Sequence, residues 1–254
     1  MKKLMLQAIK QGIKNVYYFL YYCFAPRRTI VLMFCSMRSG STLLKALLAE
    51  ASDVSNLPET DYRKHYYGNP YEFYYNVAQL SPKRIIVLKA PLWFTDINHD
   101  YKIPPLKCIK LIALYRDAYE VIKSCEKMIV QVKFDTKTKE ELVEYWCKTY
   151  EKITAIVQSF PSSTTLTYED LLQRPKDITK ELFAFIGSRQ KEGVKSYHKP
   201  DNYEWKWGSD DGGEKIKSMK VTAPETTIRD DQQLVKAIES SQHAQDLRKQ
   251  LGYL

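Results

Sequence analysis

A short polar loop follows an apolar run near the start of the chain and precedes leucines at helical spacing; it reads Ser36-Met37-Arg38-Ser39-Gly40-Ser41-Thr42. Backbone N–H groups at such a turn, together with the N-terminus of the following helix, form a binding site for anions. Gly40 allows the backbone to approach a ligand closely. The hydroxyl groups of Ser39, Ser41 and Thr42 add donors, and Arg38 adds a charged, forked donor. The loop therefore predicts a site for the phosphate group of a nucleotide.

This loop differs from the Walker A motif of nucleotide-dependent kinases. That motif has the pattern G-x-x-x-x-G-K-[ST], whereas Cys35 here occupies the position of the first glycine and Ser41 that of the lysine. The lysine that reaches the β- and γ-phosphates is therefore missing. The sequence favours phosphate binding over Mg²⁺-assisted transfer of a γ-phosphoryl group, and a small-molecule kinase stays the alternative enzyme class.

The elements that must position the loop alternate between strands and helices. Continuous apolar runs predict buried parallel strands, over 29–35, 85–88, 108–115 and, more briefly, 164–168. Apolar residues at helical spacing predict helices, over 41–50, 118–129, 138–159, 176–187 and 231–251. This alternation indicates an α/β fold with a mainly parallel central sheet flanked by helices.

Two stretches resemble the phosphate-binding motifs of the sulfotransferases that use 3′-phosphoadenosine-5′-phosphosulfate (PAPS). Residues 37–44, with Arg38 as in carbohydrate and bacterial members, resemble the family's 5′-phosphosulfate loop. Residues 114–117, with Arg116 and then Ser124 eight residues later, resemble its 3′-phosphate motif. Because ligands of open α/β sheets bind at the carboxyl ends of the strands, the two motifs are expected to meet. The resemblance implies a P-loop-like sulfotransferase domain over 29–254.

Other parts of the chain carry the same resemblance. Residues 167–171 are similar to the segment after the family's fourth strand, which implies that Tyr168 lies near the adenine. Lys215 and Lys217 lie in a long loop over 197–229, where the family has a basic stretch that closes over the 3′-phosphate. The loop departs from the family's R-K-G form, so a charged surface loop is the alternative.

The resemblance also implies which residues act on the transferred sulfuryl group. Arg38 and Lys89 are the cations expected to stabilise the charge that develops, and Lys89 follows the second strand in a pattern similar to the family's K-x-P element. The histidine that follows this lysine in cytosolic members is missing. Glu59 stands where carbohydrate-type and bacterial members have a glutamate base, and His65 is the alternative base. No metal is needed, and the sequence shows no metal-binding cluster.

The positive charge of the chain is concentrated near its N-terminus. Of the 254 residues, the first 49 hold eight of the 39 basic side chains and none of the 30 acidic ones. The net charge is +9 for the whole chain and only +1 for residues 50–254. This distribution argues against a nucleic-acid partner. Residues 1–28, with an aromatic run over 16–25, predict a helix packed on the protein or lying on a membrane. Lys45, on the helix after the loop, is expected at the surface.

The sequence thus predicts a PAPS-dependent sulfotransferase acting on a hydroxyl or amine of a carbohydrate or small-molecule acceptor. The non-enzyme alternative is a nucleotide-binding module docked at a membrane through residues 1–28. Five cysteines without C-x-x-C spacing favour a reducing, cytoplasmic location, with membrane association as the further possibility. The loops 57–82 and 197–229 are expected to shape the acceptor pocket.

Overall fold

The central sheet has four strands in the described part of the chain, all parallel, in the order β2-β1-β3-β4. They are β1 (Thr29–Ser36), β2 (Ile85–Leu92), β3 (Ile109–Tyr115) and β4 (Ser163–Thr167). The structure is a computed structural model and describes residues 2–132, 135–198, 218–222 and 229–254. The α/β fold predicted from the alternation of elements is confirmed.

Helices surround the sheet in chain order. They are α1 (Lys2–Phe24), α2 (Ser41–Leu48), α3 (Pro70–Ala78), α4 (Ala118–Val132), α5 (Lys139–Ser159), α6 (Tyr168–Gln173), α7 (Pro175–Ile186), α8 (Gln232–Ser240) and α9 (Gln242–Gln250). Two 3₁₀ turns, Tyr62–His65 and Phe94–Asn98, lie on either side of β2 in the chain. No helix in these ranges is long and apolar enough to cross a membrane.

The alternation of side chains along β1 explains its unbroken apolar sequence. Ile30, Leu32 and Phe34 pack into one hydrophobic core with residues of α4, α5, α8 and α9. Val31 and Met33 point to the opposite face and pack into a second core with α2 and α7. A parallel strand covered on both faces needs apolar residues at every position, so the continuous run is what this topology requires.

Two of the differences from the predicted elements have a clear physical reason. The second strand is predicted to end before Lys89, but β2 continues to Leu92 and includes both Lys89 and Pro91. Proline is tolerated there because β2 is an edge strand of the described sheet. A single helix is predicted over 231–251, but the helix is interrupted at Ser241. The side chain of Ser241 accepts a hydrogen bond from the N–H of Ala244 and so caps the start of α9.

The N-terminal helix packs on the domain through aromatic rings. In α1, Tyr22 meets Tyr74 of α3 edge to face, with ring centroids 5.0 Å apart. The hydroxyl of Tyr74 donates to the carbonyl of Pro26 at 3.1 Å and accepts from the N–H of Arg28 at 3.1 Å. These contacts join the end of α1 and the start of β1 to α3.

Candidate active site

The loop between β1 and α2 has the conformation of an anion-binding turn. Arg38 has a φ of 60° and Gly40 a φ of 87°, so the backbone of both residues is in the left-handed region. Gly40 caps α2 without any side-chain hydrogen bond, so the cap residue supplies no side-chain acceptor to the first N–H groups of the helix. The hydroxyl of Ser39 is fully buried and, within the described residues, lacks a hydrogen-bond partner. Phosphate oxygens are suitable acceptors for such donors.

The two phosphate motifs, which the sequence predicts to meet, contact each other. The Nε of Arg38 donates to the hydroxyl of Ser124 on α4 at 3.0 Å. A guanidinium nitrogen of Arg116, directly after β3, donates to the carbonyl of Arg38 at 2.8 Å. Residues far apart in the sequence therefore place two guanidinium groups at one edge of the sheet, where the carboxyl ends of β1 and β3 lie side by side.

Tyr168 lies between the loop and Arg116. The guanidinium carbon of Arg116 is 4.4 Å from the centroid of the Tyr168 ring, within cation–π distance. The Tyr168 ring also lies against Gly40: a Cβ atom added to this glycine would fall 2.2 Å from Cε2 of the ring. Arg116 also pairs with Glu120 at 3.0 Å, and its Nε is buried without a hydrogen-bond partner among the described residues. The ring and the guanidinium thus form one stacked unit beside the loop.

Helix α5 fixes the ends of the strands that carry the site. The hydroxyl of Tyr145 accepts from the N–H of Met37 at 2.9 Å and donates to the carbonyl of Leu92 at 2.6 Å, which links β1 to β2. The indole of Trp146 donates to the carbonyl of Arg116 at 3.0 Å. Burial raises the pKa of Tyr145, so this phenol stays protonated and serves as a donor.

The sequence indicates only an apolar stripe for α5, and it misses this bracing role. Trp146 and Tyr150 lie four residues apart, as the helical spacing predicts, and the hydroxyl of Tyr150 shares a hydrogen bond of 2.9 Å with the hydroxyl of Ser36. One feature of the sequence could have predicted these hydrogen bonds, because buried tyrosine and tryptophan side chains each need a partner for their polar atom. Three such residues within two turns of one helix indicate polar contacts at the edge of the sheet, but not which strand each one reaches.

Lys89 and Glu59, the predicted cation and base, form an ion pair. Their Nζ and Oε2 atoms are 3.0 Å apart, with side chains 6% and 47% exposed. Lys89 also donates to the hydroxyl of Thr42 at 2.8 Å, which joins the pair to the phosphate loop. The N–H of Thr60 donates to the carbonyl of Lys89 at 3.1 Å. The structure therefore brings the end of β2, the loop after β1 and the segment around Glu59 together.

Lys45 is buried, not at the surface as its charge predicts. It is 2% exposed and its ammonium donates to the carbonyl of Leu57. A lysine is almost never fully buried without a partner, and here the carbonyl of a neighbouring loop supplies one. Because Leu57 lies two residues before Glu59, this contact ties helix α2 to the segment that carries the proposed base.

An open cleft of about 330 Å³ lies next to Glu59; its lining residues are Glu59, Asp61, Arg63, Lys64, Pro91, Trp93, Thr95 and Asp96. Arg63 bridges Asp61 at 2.7 Å and Asp96 at 3.0 Å. Trp93 is exposed and offers an aromatic surface. The predicted segment 57–82 thus contributes to one cleft together with the end of β2.

The remaining predicted site residues lie elsewhere. His65, the alternative base, lies in the first 3₁₀ turn and does not line this cleft. Partial burial lowers its pKa. Lys215 and Lys217, together with most of the 197–229 loop, lie outside the residues that the structure describes.

The end of the chain packs against the residue that follows Arg116. The carboxylate of Asp117 pairs with Arg248 of α9 at 3.0 Å, and both side chains are largely buried. Glu169 accepts from the N–H of Asp117 at 3.1 Å and from the hydroxyl of Tyr253 at 3.2 Å. Burial raises the pKa of Glu169. Arg248 and Tyr253, near the end of the chain, therefore support the segment that follows Arg116.

Solved structures with a similar fold are sulfotransferases. The sulfotransferase domain from the curacin biosynthetic pathway has a TM-score of 0.59 and 18% identity, covering 91% of this chain and 99% of that domain. A sulfotransferase from Alicyclobacillus acidocaldarius has a TM-score of 0.50 and 10% identity, covering 87% of this chain and 95% of that one. No protein-family model and no curated protein matches the sequence. The chain therefore has the sulfotransferase fold.

Proposed function

We propose that the chain is a sulfotransferase that uses PAPS as its sulfuryl donor, with residues 29–254 forming the catalytic domain. The observation that carries the proposal is the contact of the two phosphate motifs, in which Arg38 donates to Ser124 and Arg116 donates to the carbonyl of Arg38. A donor with phosphate groups at two ends of one nucleoside needs two adjacent cationic sites. A nucleotide with phosphate groups at one end only would need a single cationic site.

The residues at this edge fit such a donor. The first N–H groups of α2, which the cap residue leaves without a side-chain acceptor, and the buried hydroxyl of Ser39 suit the phosphosulfate end. Gly40, Ser41 and Thr42 lie around them. The Nε of Arg116, which has no hydrogen-bond partner among the described residues, suits the 3′-phosphate together with Ser124, which Arg38 contacts. Tyr168, stacked on Arg116, offers a ring for the adenine. When bound, the donor supplies the sulfuryl group, and its bisphosphate part is the leaving group.

The chain's own groups then have separate roles in the transfer. Arg38 and Lys89 hold the negative charge that develops on the leaving phosphate. Glu59 takes the proton from the acceptor's hydroxyl or amine as the acceptor oxygen or nitrogen bonds to sulfur. The ion pair with Lys89 holds the carboxylate of Glu59 at the edge of the cleft. The acceptor, a carbohydrate or another small molecule, would enter through the cleft beside Trp93.

Binding of adenosine 3′,5′-bisphosphate, measured by isothermal titration calorimetry, tests the donor site. We expect the wild-type protein to bind it and the Arg116→Ala variant to bind at least about tenfold more weakly, since a charge-assisted contact contributes roughly 1.5–3 kcal/mol. Arg174→Ala is the matched control, because Arg174 is half-exposed and makes only a 3.7 Å ion pair with Asp170. Failure of folded wild-type protein to bind, or an unchanged affinity in Arg116→Ala, would refute the proposal.

Turnover of labelled donor with a panel of acceptors tests the base. Glu59→Gln should lose about 10²–10⁴-fold in turnover while it keeps its affinity for the bisphosphate. Glu140→Gln, an exposed glutamate in the first turn of α5, is the control. Full activity of Glu59→Gln together with loss in His65→Gln would transfer the role to His65. Bisphosphate binding without turnover on any acceptor would instead support a binding module.

A further inference from the structure

One side of helix α1 carries an aliphatic stripe that no described residue covers. Its members recur every three or four residues, the spacing of a single helix face: Met5, Ile9, Ile13, Val16, Leu20 and Phe24. Each of them is between 47% and 82% exposed. Contiguous exposed apolar surface of this kind marks a binding surface in a soluble protein.

The other side of the same helix faces the domain. Tyr18 and Tyr22 pack on Tyr75 and Tyr74 of α3, with ring centroids 5.2 and 5.0 Å apart. Asn15 accepts a hydrogen bond of 2.9 Å from the side chain of Asn69, as part of the same contact. A surface helix ordinarily turns its apolar face to the core. Here the polar and tyrosine-bearing face contacts the protein, and the aliphatic face points away from it.

Charge distinguishes between the surfaces that could cover this stripe. Lys10 lies beside the stripe, Lys14 lies one turn later and further toward the side that faces the domain, and both are exposed. The first 49 residues contain no acidic side chain. A second copy of α1 placed on the stripe would bring more lysines and no carboxylate from this segment. An anionic lipid surface supplies both the phosphate groups that pair with lysine and the apolar layer that accepts the aliphatic stripe.

We propose that α1 lies in the plane of an anionic membrane surface, with the aliphatic stripe in the boundary between headgroups and acyl chains. Tyr17 and Phe19 flank the stripe; each ring touches a tyrosine of α3 and stays about half exposed. Their exposed edges would lie at the headgroup level, where aromatic side chains are favoured. The rest of the domain is held above the surface by the contact between α1 and α3. This interaction is independent of the proposed transfer reaction.

Sedimentation of the full chain with lipid vesicles tests the proposal. Vesicles of phosphatidylcholine mixed with phosphatidylglycerol should bind the protein, and vesicles of phosphatidylcholine alone should bind it much more weakly. The triple variant Ile9→Gln, Ile13→Gln, Val16→Gln should lower the partition coefficient by roughly 100-fold, because burying each side chain contributes about fivefold even at partial depth. Circular dichroism and bisphosphate affinity should be unchanged in this variant.

Substitutions off the stripe separate charge from apolar burial. Lys10→Gln should lower binding to the anionic vesicles by roughly fivefold, the contribution expected of one lysine near the lipid surface. The control pair Gln7→Ala and Gln11→Ala, on the side opposite the stripe, should leave binding unchanged. Absence of binding to anionic vesicles would overturn the proposal. Equal binding to both vesicle types, or a wild-type dimer in analytical ultracentrifugation that the triple variant dissociates, would do so as well.

Discussion

Replacing Gly40 by alanine perturbs the phosphate loop at its tightest point. Gly40 has a φ of +87°, and a Cβ there would lie 2.2 Å from Cε2 and 2.3 Å from Cδ2 of Tyr168. Ordinary contacts begin near 3.4 Å, so the ring has to move by about 1 Å or more. Because the ring is stacked on Arg116, this movement disturbs the unit that we assign to the 3′-phosphate and the adenine.

The expected cost has two parts. The left-handed backbone conformation costs alanine about 1–2 kcal/mol. Displacing Tyr168 from Arg116 adds about 0.5–2 kcal/mol, the range of a cation–π contact. Gly40→Ala should therefore lower the free energy of unfolding by roughly 1.5–4 kcal/mol. Gly68 provides the matched control, because it has a φ of +95° but no atom within 4 Å of the added Cβ. Its alanine variant should lose only about 1–2 kcal/mol.

Urea unfolding and calorimetric titration with the bisphosphate measure the two consequences. Gly40→Ala should also weaken bisphosphate binding by about tenfold or more, since the loop backbone can no longer approach the ligand, whereas Gly68→Ala should not. In a Tyr168→Ala background, Gly40→Ala should cost no more than the backbone strain, as in a double-mutant cycle. Equal losses of stability in the Gly40 and Gly68 variants, with unchanged bisphosphate affinity, would refute this account of the loop.

Three further perturbations have expected outcomes. Arg248→Met should lower the free energy of unfolding by about 3–5 kcal/mol, because it leaves the buried Asp117 carboxylate without its ion-pair partner. Adding Asp117→Asn should restore part of the lost stability in urea unfolding. An absence of recovery would contradict the view that the unpaired charge causes the loss. Burial raises the pKa of Glu169, so its contribution to stability is fully present below the ordinary glutamate pKa and is lost as the pH rises through the raised value. Thermal unfolding across this range should show that loss in wild type but not in Glu169→Gln, and identical profiles would contradict it. Lys45→Met removes the donor to the Leu57 carbonyl and should lower kcat more than bisphosphate affinity; an unchanged kcat would show that this contact does not position the base.

The sequence was sufficient for the parts of the fold that depend on local patterns. A strand covered on both faces must be apolar throughout, so β1 and β3 could be recognised from their composition. A loop rich in glycine and hydroxyl groups between such a strand and a helix indicates an anion site. The meeting of Arg116 with that loop also follows from sequence, because parallel strands place their carboxyl ends at one edge.

Features that depend on tertiary contacts could not be predicted. Lys45 looks like a surface residue because nothing in its neighbourhood in the sequence shows that the Leu57 carbonyl faces it. Pro91 suggests the end of a strand, and only the position of β2 at an edge of the sheet allows the strand to continue past it. The hydrogen bonds of Tyr145 join parts of the chain more than fifty residues apart, and apolar periodicity contains no information about them.

The contacts around Glu59 show how a base on a loop can be positioned without the histidine that follows the lysine in cytosolic members of the resembled family. The loop is held at three points: Lys45 donates to the Leu57 carbonyl, the N–H of Thr60 donates to the carbonyl of Lys89, and Glu59 pairs with the Lys89 side chain. Two of these anchors lie on β2 and one on α2, which are regular elements packed in the core. Precise positioning of a catalytic group requires such support from rigid elements. Lys89 also donates to the hydroxyl of Thr42 in the phosphate loop. A shift of this loop would therefore move the lysine that pairs with the proposed base Glu59.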